Sequence, residues 1–175
     1  MPSDVCLRPV SEADLALLIR FQSDPEAVGE FQWFGFRMDK VRELQRRWRE
    51  DGLIGGESSS LAVVVGDDTC AGVVDWRPVG RFGTQEIGIA LVTEYRGRGI
   101  GTEAQRQLVD YLLATTTAHR IQAGTELDNI AEQKALEKVG FTREGVNRGV
   151  HFRAGRWRDS VMYGLVRDDG REPAA

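Results

Sequence analysis

Residues 84–113, TQEIGIALVTEYRGRGIGTEAQRQLVDYLL, read as a strand, a glycine-rich turn and a helix in immediate succession. In the strand, Ile87, Ile89 and Leu91 alternate onto one face, while Glu86, Gly88 and Ala90 fall on the other. Two very small residues on that second face leave room for something other than side chains. Arg96, Gly97, Arg98, Gly99, Ile100 and Gly101 form the turn. Beyond it Ile100, Ala104, Leu108 and Leu112 recur every four residues, with Val109 and Leu113 beside them, which is the buried stripe of an amphipathic helix.

A glycine-rich turn that opens a helix suits an anion. The first backbone N–H groups of the helix have no intrahelical acceptor, and the helix dipole adds about half a positive charge at that end. Glycine lets phosphate oxygens approach the backbone without a Cβ in the way, and Arg96 and Arg98 supply cations able to fork onto them. The segment from Arg96 to Thr102 therefore reads as a pyrophosphate cradle, against the plainer reading of a tight connection with two solvated arginines. A P-loop is excluded because no lysine follows Gly101. Gly99, Gly101 and Ala104 also satisfy the dinucleotide pattern G-x-G-x-x-A, with Glu126 or Asp128 near the spacing of a ribose-binding acid, so an NAD(P)-dependent oxidoreductase stays open.

The rest of the chain supplies a sheet around this unit. A short strand near Val5–Arg8 precedes Ser11, a cap for a helix with Asp14 as its third residue and Leu15, Leu18 and Ile19 inward. That helix fails at Ser23-Asp24-Pro25, and an aromatic segment, Phe31 to Phe36, follows. A second helix starts at Asp39 with Val41, Leu44 and Trp48 inward and a basic outer face. Leu61–Val65 and Ala71–Trp76 read as strands joined by a Gly66-Asp67-Asp68-Thr69 hairpin turn. After the central helix come a strand at Ile121–Thr125 and a short helix from Asn129 that ends at Gly140. Two last strands follow, over residues 141–152 and 157–166. The expectation is an α/β (α+β) single domain over residues 1–175: a mixed, mostly antiparallel sheet with helices on both faces and one parallel pairing across the central helix. Asp168 to Ala175 reads as a frayed polar tail.

With 175 residues, 41% hydrophobic and 29% charged at a net charge of −4, the composition is that of a soluble globular chain without the basic excess of a nucleic-acid binder. No leader pattern or membrane-length apolar run appears, which predicts a cytoplasmic protein with no membrane partner. Cys6 and Cys70 lack metal-ligand spacing and read as small buried residues, and His119 and His151 stand alone, so no metal is expected. Ser58-Ser59-Ser60 is a loop tract rather than a nucleophile elbow.

The turn from Arg96 to Gly101 resembles the R/Q-x-x-G-x-G/A acyl-CoA motif of the GCN5-related N-acetyltransferases, in the setting EIGIALVTEY before it and TEAQRQLVDYLL after it. Asp128-Asn129-Ile130-Ala131, then Leu136-Glu137-Lys138-Val139-Gly140-Phe141 and Arg143-Glu144-Gly145, resemble the ribosomal-protein alanine N-acetyltransferase-like branch, as do Leu7-Arg8-Pro9 and Trp157-Arg158-Asp159 with Tyr163. The resemblance implies an acyl-CoA-dependent N-acyltransferase that moves acetyl from acetyl-CoA to a primary amine, either a protein N-terminus or a small molecule, as a monomer or homodimer. It implies that the thioester lies near Leu91 and Val92, whose N–H groups polarise its carbonyl, and that the pyrophosphate takes the turn, with Asn129 on the pantetheine arm. Glu86 stands where the family's general base commonly stands; paired with Arg77 or Arg81, it is a strand carboxylate instead. Tyr163 and Tyr111 are the chemically suitable acids, although packing explains both. Phe31 and Trp33 belong to a lid over the acceptor, as the resemblance implies, or to core packing or a subunit contact. Glu132 occupies the place of a family serine and is read either as the N3 partner of an Asn129 cap or as an active-site carboxylate. A module that binds acyl-CoA without turnover is the remaining alternative.

Overall fold

The computed structural model describes residues 5–168, so all but the first residue of the expected tail lies outside the described residues. Seven strands form one sheet in the order β1-β2-β3-β4-β5-β7-β6. Strand β1 (Val5–Pro9) pairs with β2 (Ser59–Val65), which forms a hairpin with β3 (Thr69–Val79), and β3 in turn pairs with β4 (Thr84–Leu91), all antiparallel. The hairpin is longer than its apolar runs predict because the ladder continues past them, from Ser59 opposite Trp76 and on to Val79 opposite Thr84. The one parallel pairing among the described residues joins β4 to β5 (Arg120–Glu126), and β7 (Arg156–Val166) and the edge strand β6 (Thr142–Arg153) complete the sheet.

Alternation in β2 divides the core in two. Leu61 and Val63 face helices α4 (Ile100–Thr115) and α5 (Ile130–Val139). There Ala104, Leu108, Leu112 and Leu136 pack against Val74, Ile87, Ile121 and Leu165. Ala62 and Val64 face the opposite layer, where Leu18 of α1 (Leu15–Ser23) meets Leu44 and Trp48 of α3 (Met38–Asp51). Helices therefore cover both faces, each burying the stripe its sequence predicts. Ser11 donates from both its backbone N–H and its Oγ to Asp14 Oδ2 at 2.8 Å, but the capped turn is 3₁₀ before α1 begins at Leu15. Cys6 is exposed on β1, contrary to the expectation that it is buried.

Between α1 and α3, Asp24 caps a single turn, α2 (Pro25–Val28), accepting the N–H groups of Glu26 and Ala27 at 3.0 and 3.3 Å. Gly72 is fixed by close approach: a Cβ there would stand 2.0 Å from the Ala90 carbonyl oxygen across the β3–β4 ladder. No helix among the described residues is long and apolar enough to cross a membrane.

Candidate active site

The site begins where the sheet comes apart. Strands β4 and β5 are in register for three pairs only, Thr84 with Arg120, Gln85 with Ile121 and Glu86 with Gln122, and then diverge. The Val92 N–H donates to the Ala71 carbonyl at 3.0 Å, so Val92 is occupied and does not offer its N–H to a thioester as expected. Since hydrogen bonding alternates along an antiparallel strand, Leu91 and Ile89 then direct their N–H and C=O groups away from β3, into the gap.

Side chains already hold both of those carbonyls. Gln32 donates to the Ile89 oxygen, and Arg96 donates to Leu91 O from Nε at 2.9 Å and Nη2 at 2.6 Å, with Nη2 also 2.6 Å from Val28 O. Arg96 is thus turned inward as a tie between α2 and β4, which corrects its reading as a free phosphate cation. Arg98 remains outside, its guanidinium 5.8 Å from the Tyr95 ring centre. The turn brings Gly97 and Gly99 to φ of 70° and 79°, the left-handed region that glycine allows, with Gly99 as the N-cap of α4. No side chain caps this helix, and its first intrahelical bond runs from Glu103 N–H to Gly99 O at 3.1 Å, which leaves the amides of residues 100–102 for an external acceptor. Gly101 instead seats α4 on β4, since a Cβ there would meet Leu91 and Ile89 side-chain carbons at 3.5 and 3.6 Å.

Two cavities open from the gap. One, of about 840 Å³, runs past Leu91, Arg96, Gly97, Gly99, Gly101 and Thr102 to Asn129, Lys134 and Lys138. The other, of about 600 Å³, lies over β3 and β4 under α3 and includes Phe34, Lys40, Glu43, Asp75, Gly88, Glu126 and His151. Val28, Phe31, Gln32, Ile89, Asn129 and Glu132 border both, so the cavities meet at these residues. Phe31 therefore stands at the junction, with the Arg153 guanidinium 5.2 Å from its ring centre. Trp33 does not: it packs on the Phe21, Val28 and Val92 cluster and edge-on to Phe36 at 5.2 Å, as the packing reading requires. Val92 and Ile100 are buried in the core, and neither side chain lines the cavities.

The expected catalytic residues fare differently. Glu86 borders neither cavity. Its Oε1 accepts from Arg77 and its Oε2 from Gln122 Nε2 at 3.0 Å; burial acts to raise its pKa, but these two donors prevail and hold it below the ordinary value. Tyr163 is fully buried and donates its hydroxyl to Glu137 at 3.1 Å, so the structure does not bring it to the site as an acid. Tyr111 packs edge-on to Trp76 at 5.7 Å. Asn129 accepts the Glu132 N–H at 3.3 Å and donates to Thr125 Oγ1 at 3.1 Å, which confirms a cap. That cap is one-sided, because the Asn129 N–H goes to Glu126 O at 2.9 Å and the Glu132 carboxylate turns into the cavities instead. There burial pushes Glu132 up to about 7, against a 3.5 Å hydrogen bond from Gln105.

Sequence reasoning missed Asp75. It opens onto the 600 Å³ cavity with its side chain exposed there, and the protein packed around that cavity acts to raise its pKa, with Arg77 opposing and Glu86 adding to the rise. Its signal was a lone carboxylate in the apolar run Ala71–Trp76. The dinucleotide alternative fails on topology, since it needs a doubly wound parallel sheet and, among the described residues, only β4 and β5 run parallel.

The family profile described as an acetyltransferase (GNAT) domain matches residues 4–142. The chain belongs to the GNAT acetyltransferase family. A GNAT relative, the probable N-acetyltransferase YjcK of Bacillus subtilis (strain 168), is 34% identical over 136 residues, 76% of this chain and 72% of its own. The [ribosomal protein uS5]-alanine N-acetyltransferase of Escherichia coli (strain K12) is 29% identical over 90 residues, 51% of this chain and 46% of its own. Among solved structures, the spermidine N-acetyltransferase of Vibrio cholerae, in complex with CoA and spermine, superposes with a TM-score of 0.77 at 20% identity, covering 94% of this chain and 96% of that one. The mixed, mostly antiparallel sheet with helices on both faces is the GNAT fold, and the chain is a GNAT N-acetyltransferase.

Proposed function

We propose that the protein transfers acetyl from acetyl-CoA directly to a primary amine, with the coenzyme in the 840 Å³ groove and the amine in the 600 Å³ cavity. The observation that carries this reading is the meeting of the two cavities at the split between β4 and β5, beside the free amides at the start of α4. In this reading the pyrophosphate takes the N–H groups of residues 100–102 with Arg98 beside them, and Gly97 and Gly99 give the close approach. The pantetheine arm lies along Leu91 and past Asn129, and the Leu91 N–H polarises the thioester carbonyl. For the arm to bind there, Gln32 and Arg96 must give up their carbonyls.

The amine enters past Phe31 toward the carboxylates of the second cavity, which favour a cation. Two relatives act by name on such amines, an alanine of a ribosomal protein and spermidine, and these define the acceptor classes to test. Free cysteines at positions 6 and 70 fit the reducing cytoplasm, with the enzyme acting there as a monomer or homodimer without metal. Release of free CoA thiol from acetyl-CoA, measured against an alanine-initiated peptide and a polyamine, tests the reading. Amine-dependent release is expected with at least one. Tight acetyl-CoA binding with hydrolysis alone would favour a module that holds acyl-CoA without turnover.

A further inference from the structure

Two carboxylates stand side by side on the sheet face that floors the acceptor cavity, in different surroundings. Arg77 and Gln122 hold both oxygens of Glu86, which does not reach the cavity. Asp75 lies opposite Gly88, two pairs of the β3–β4 register nearer the split than the Arg77–Glu86 pair, about 7 Å along the strand. A Cβ on Gly88 would sit 3.0 Å from each Asp75 oxygen, so the glycine leaves that space to the carboxylate. Among the described residues the Asp75 carboxylate has no hydrogen bond or ion pair, and it opens directly into the cavity, where it is exposed.

The charges around it leave it available. Arg77 and Glu86 flank it on the sheet with opposite effects, and Arg77 is bonded to Glu86. From α3 and the residue before it, Arg37, Lys40, Glu43 and Arg47 face the same cavity, with Glu43 engaged by Arg46 and Arg47 by the Ser58 hydroxyl. On the far wall Glu126 is locked to Arg153, while Glu132 and His151 stand nearer the coenzyme side and the hairpin.

We infer that Asp75, and not Glu86, is the carboxylate that receives the acceptor's ammonium group and takes its proton. The assignment rests on the transferase reading above. An ammonium acceptor gives one proton to Asp75. Its freed lone pair forms the C–N bond as the C–S pair leaves on the CoA sulfur, and the second proton is lost from the adduct. One of the two protons ends on the CoA thiol and the other in solvent. Glu86 acts as a positioning residue whose charge keeps Asp75 basic.

The test is acetyl transfer by the wild type, Asp75→Asn and Glu86→Gln from pH 6.5 to 9.5, with acetyl-CoA affinity measured by calorimetry in each. Asp75→Asn is expected to lower kcat/KM for the amine about a hundredfold or more at pH 7. That deficit shrinks as pH approaches the amine's own pKa, about 7.8 for an α-amine and 10.4 for a lysine-type amine. Acetyl-CoA affinity stays intact, and Glu86→Gln loses less than tenfold. A smaller Asp75→Asn loss, one of equal size at every pH, or a larger loss in Glu86→Gln overturns the assignment. If Asp75→Asn no longer binds acetyl-CoA, Gly88→Ala decides: crowding both Asp75 oxygens must cost tenfold or more at pH 7 with affinity kept, and unchanged activity overturns the assignment. A wild type that binds acetyl-CoA but turns over no amine removes the transferase reading itself, and this assignment with it.

Discussion

Replacing Glu132 by Gln should stabilise the protein without ligand, and only at neutral and alkaline pH. The carboxyl is raised from 4.5 to about 7 because burial disfavours its charge more than Gln105 supports it. Below about pH 4.5 it is protonated in both the folded and unfolded chain and contributes nothing. Between there and about 7 the folded chain keeps a proton that the unfolded chain has lost, so stability falls as pH rises, and above about 7 the full penalty is present. At about 1.4 kcal/mol for each pH unit the penalty is at most about 3.5 kcal/mol, and partial exposure reduces it to about 2. Removing it should raise Tm by about 4–8 °C at pH 8 for a chain of this size and leave Tm unchanged at pH 4. The Asn129 cap survives, because it is made to the backbone N–H of residue 132. Thermal melts of both proteins at the two pH values provide the measurement. An equal or lower Tm for Glu132→Gln at pH 8, or a gain that is the same at pH 4, would refute the reasoning.

Arg98→Ala should raise the acetyl-CoA Kd about 5- to 20-fold at low salt and by less at high salt, since the lost interaction is a screened charge on phosphate; titration calorimetry at two ionic strengths reads it. Arg153→Met leaves Glu126, which is 5% exposed, without its bidentate partner and should cost about 3–5 kcal/mol in urea unfolding at pH 7. The Arg153 guanidinium holds Glu126 below its usual value, so the wild-type advantage is present at neutral pH and lost as pH falls through the folded pKa; the two proteins converge in acid. Gly72→Ala drives a Cβ into the Ala90 carbonyl at 2.0 Å and should cost more than about 3 kcal/mol or abolish soluble expression, whereas Gly101→Ala, with contacts of 3.5 and 3.6 Å, should fold normally.

The local signals in the chain were strong where one residue type has one physical use. Period 2 in Glu86–Leu91 and period 4 in Ile100–Leu112 place β4 and α4, and Gly140 ends α5 with its N–H bonded to Leu136 O at 3.2 Å. What the sequence hid were partners far along the chain. Arg96 looks like a phosphate ligand until Val28, 68 residues away, accepts its guanidinium. Glu86 looks like a base until Gln122, 36 residues on, fills its second oxygen. Asp75 shows the converse: its carboxylate lacks a hydrogen-bond partner among the described residues, which only the assembled sheet reveals. The Asn129–Glu132 spacing is legible as a cap, yet the rotation of the Glu132 carboxylate into the cavities is decided by where Gln105 and the gap lie.

A sheet whose two halves share only three register pairs has few backbone bonds to resist bending at that join, and the α4–α5 core packed across it supplies the rest of its stiffness. The block β1–β4 and the block β5-β7-β6 are each laced by long antiparallel ladders, so bending concentrates at Thr84–Glu86. From Glu86 to Leu91 the lever is five residues, about 17 Å. A rotation of about 4° at the join then changes the gap at Leu91 by roughly 1 Å, about the difference between gripping an extended thioester arm and releasing it. Substitutions at Gln85 or Ile121, remote from any reacting atom, can therefore tune the rate of product release through the stiffness of three backbone rungs.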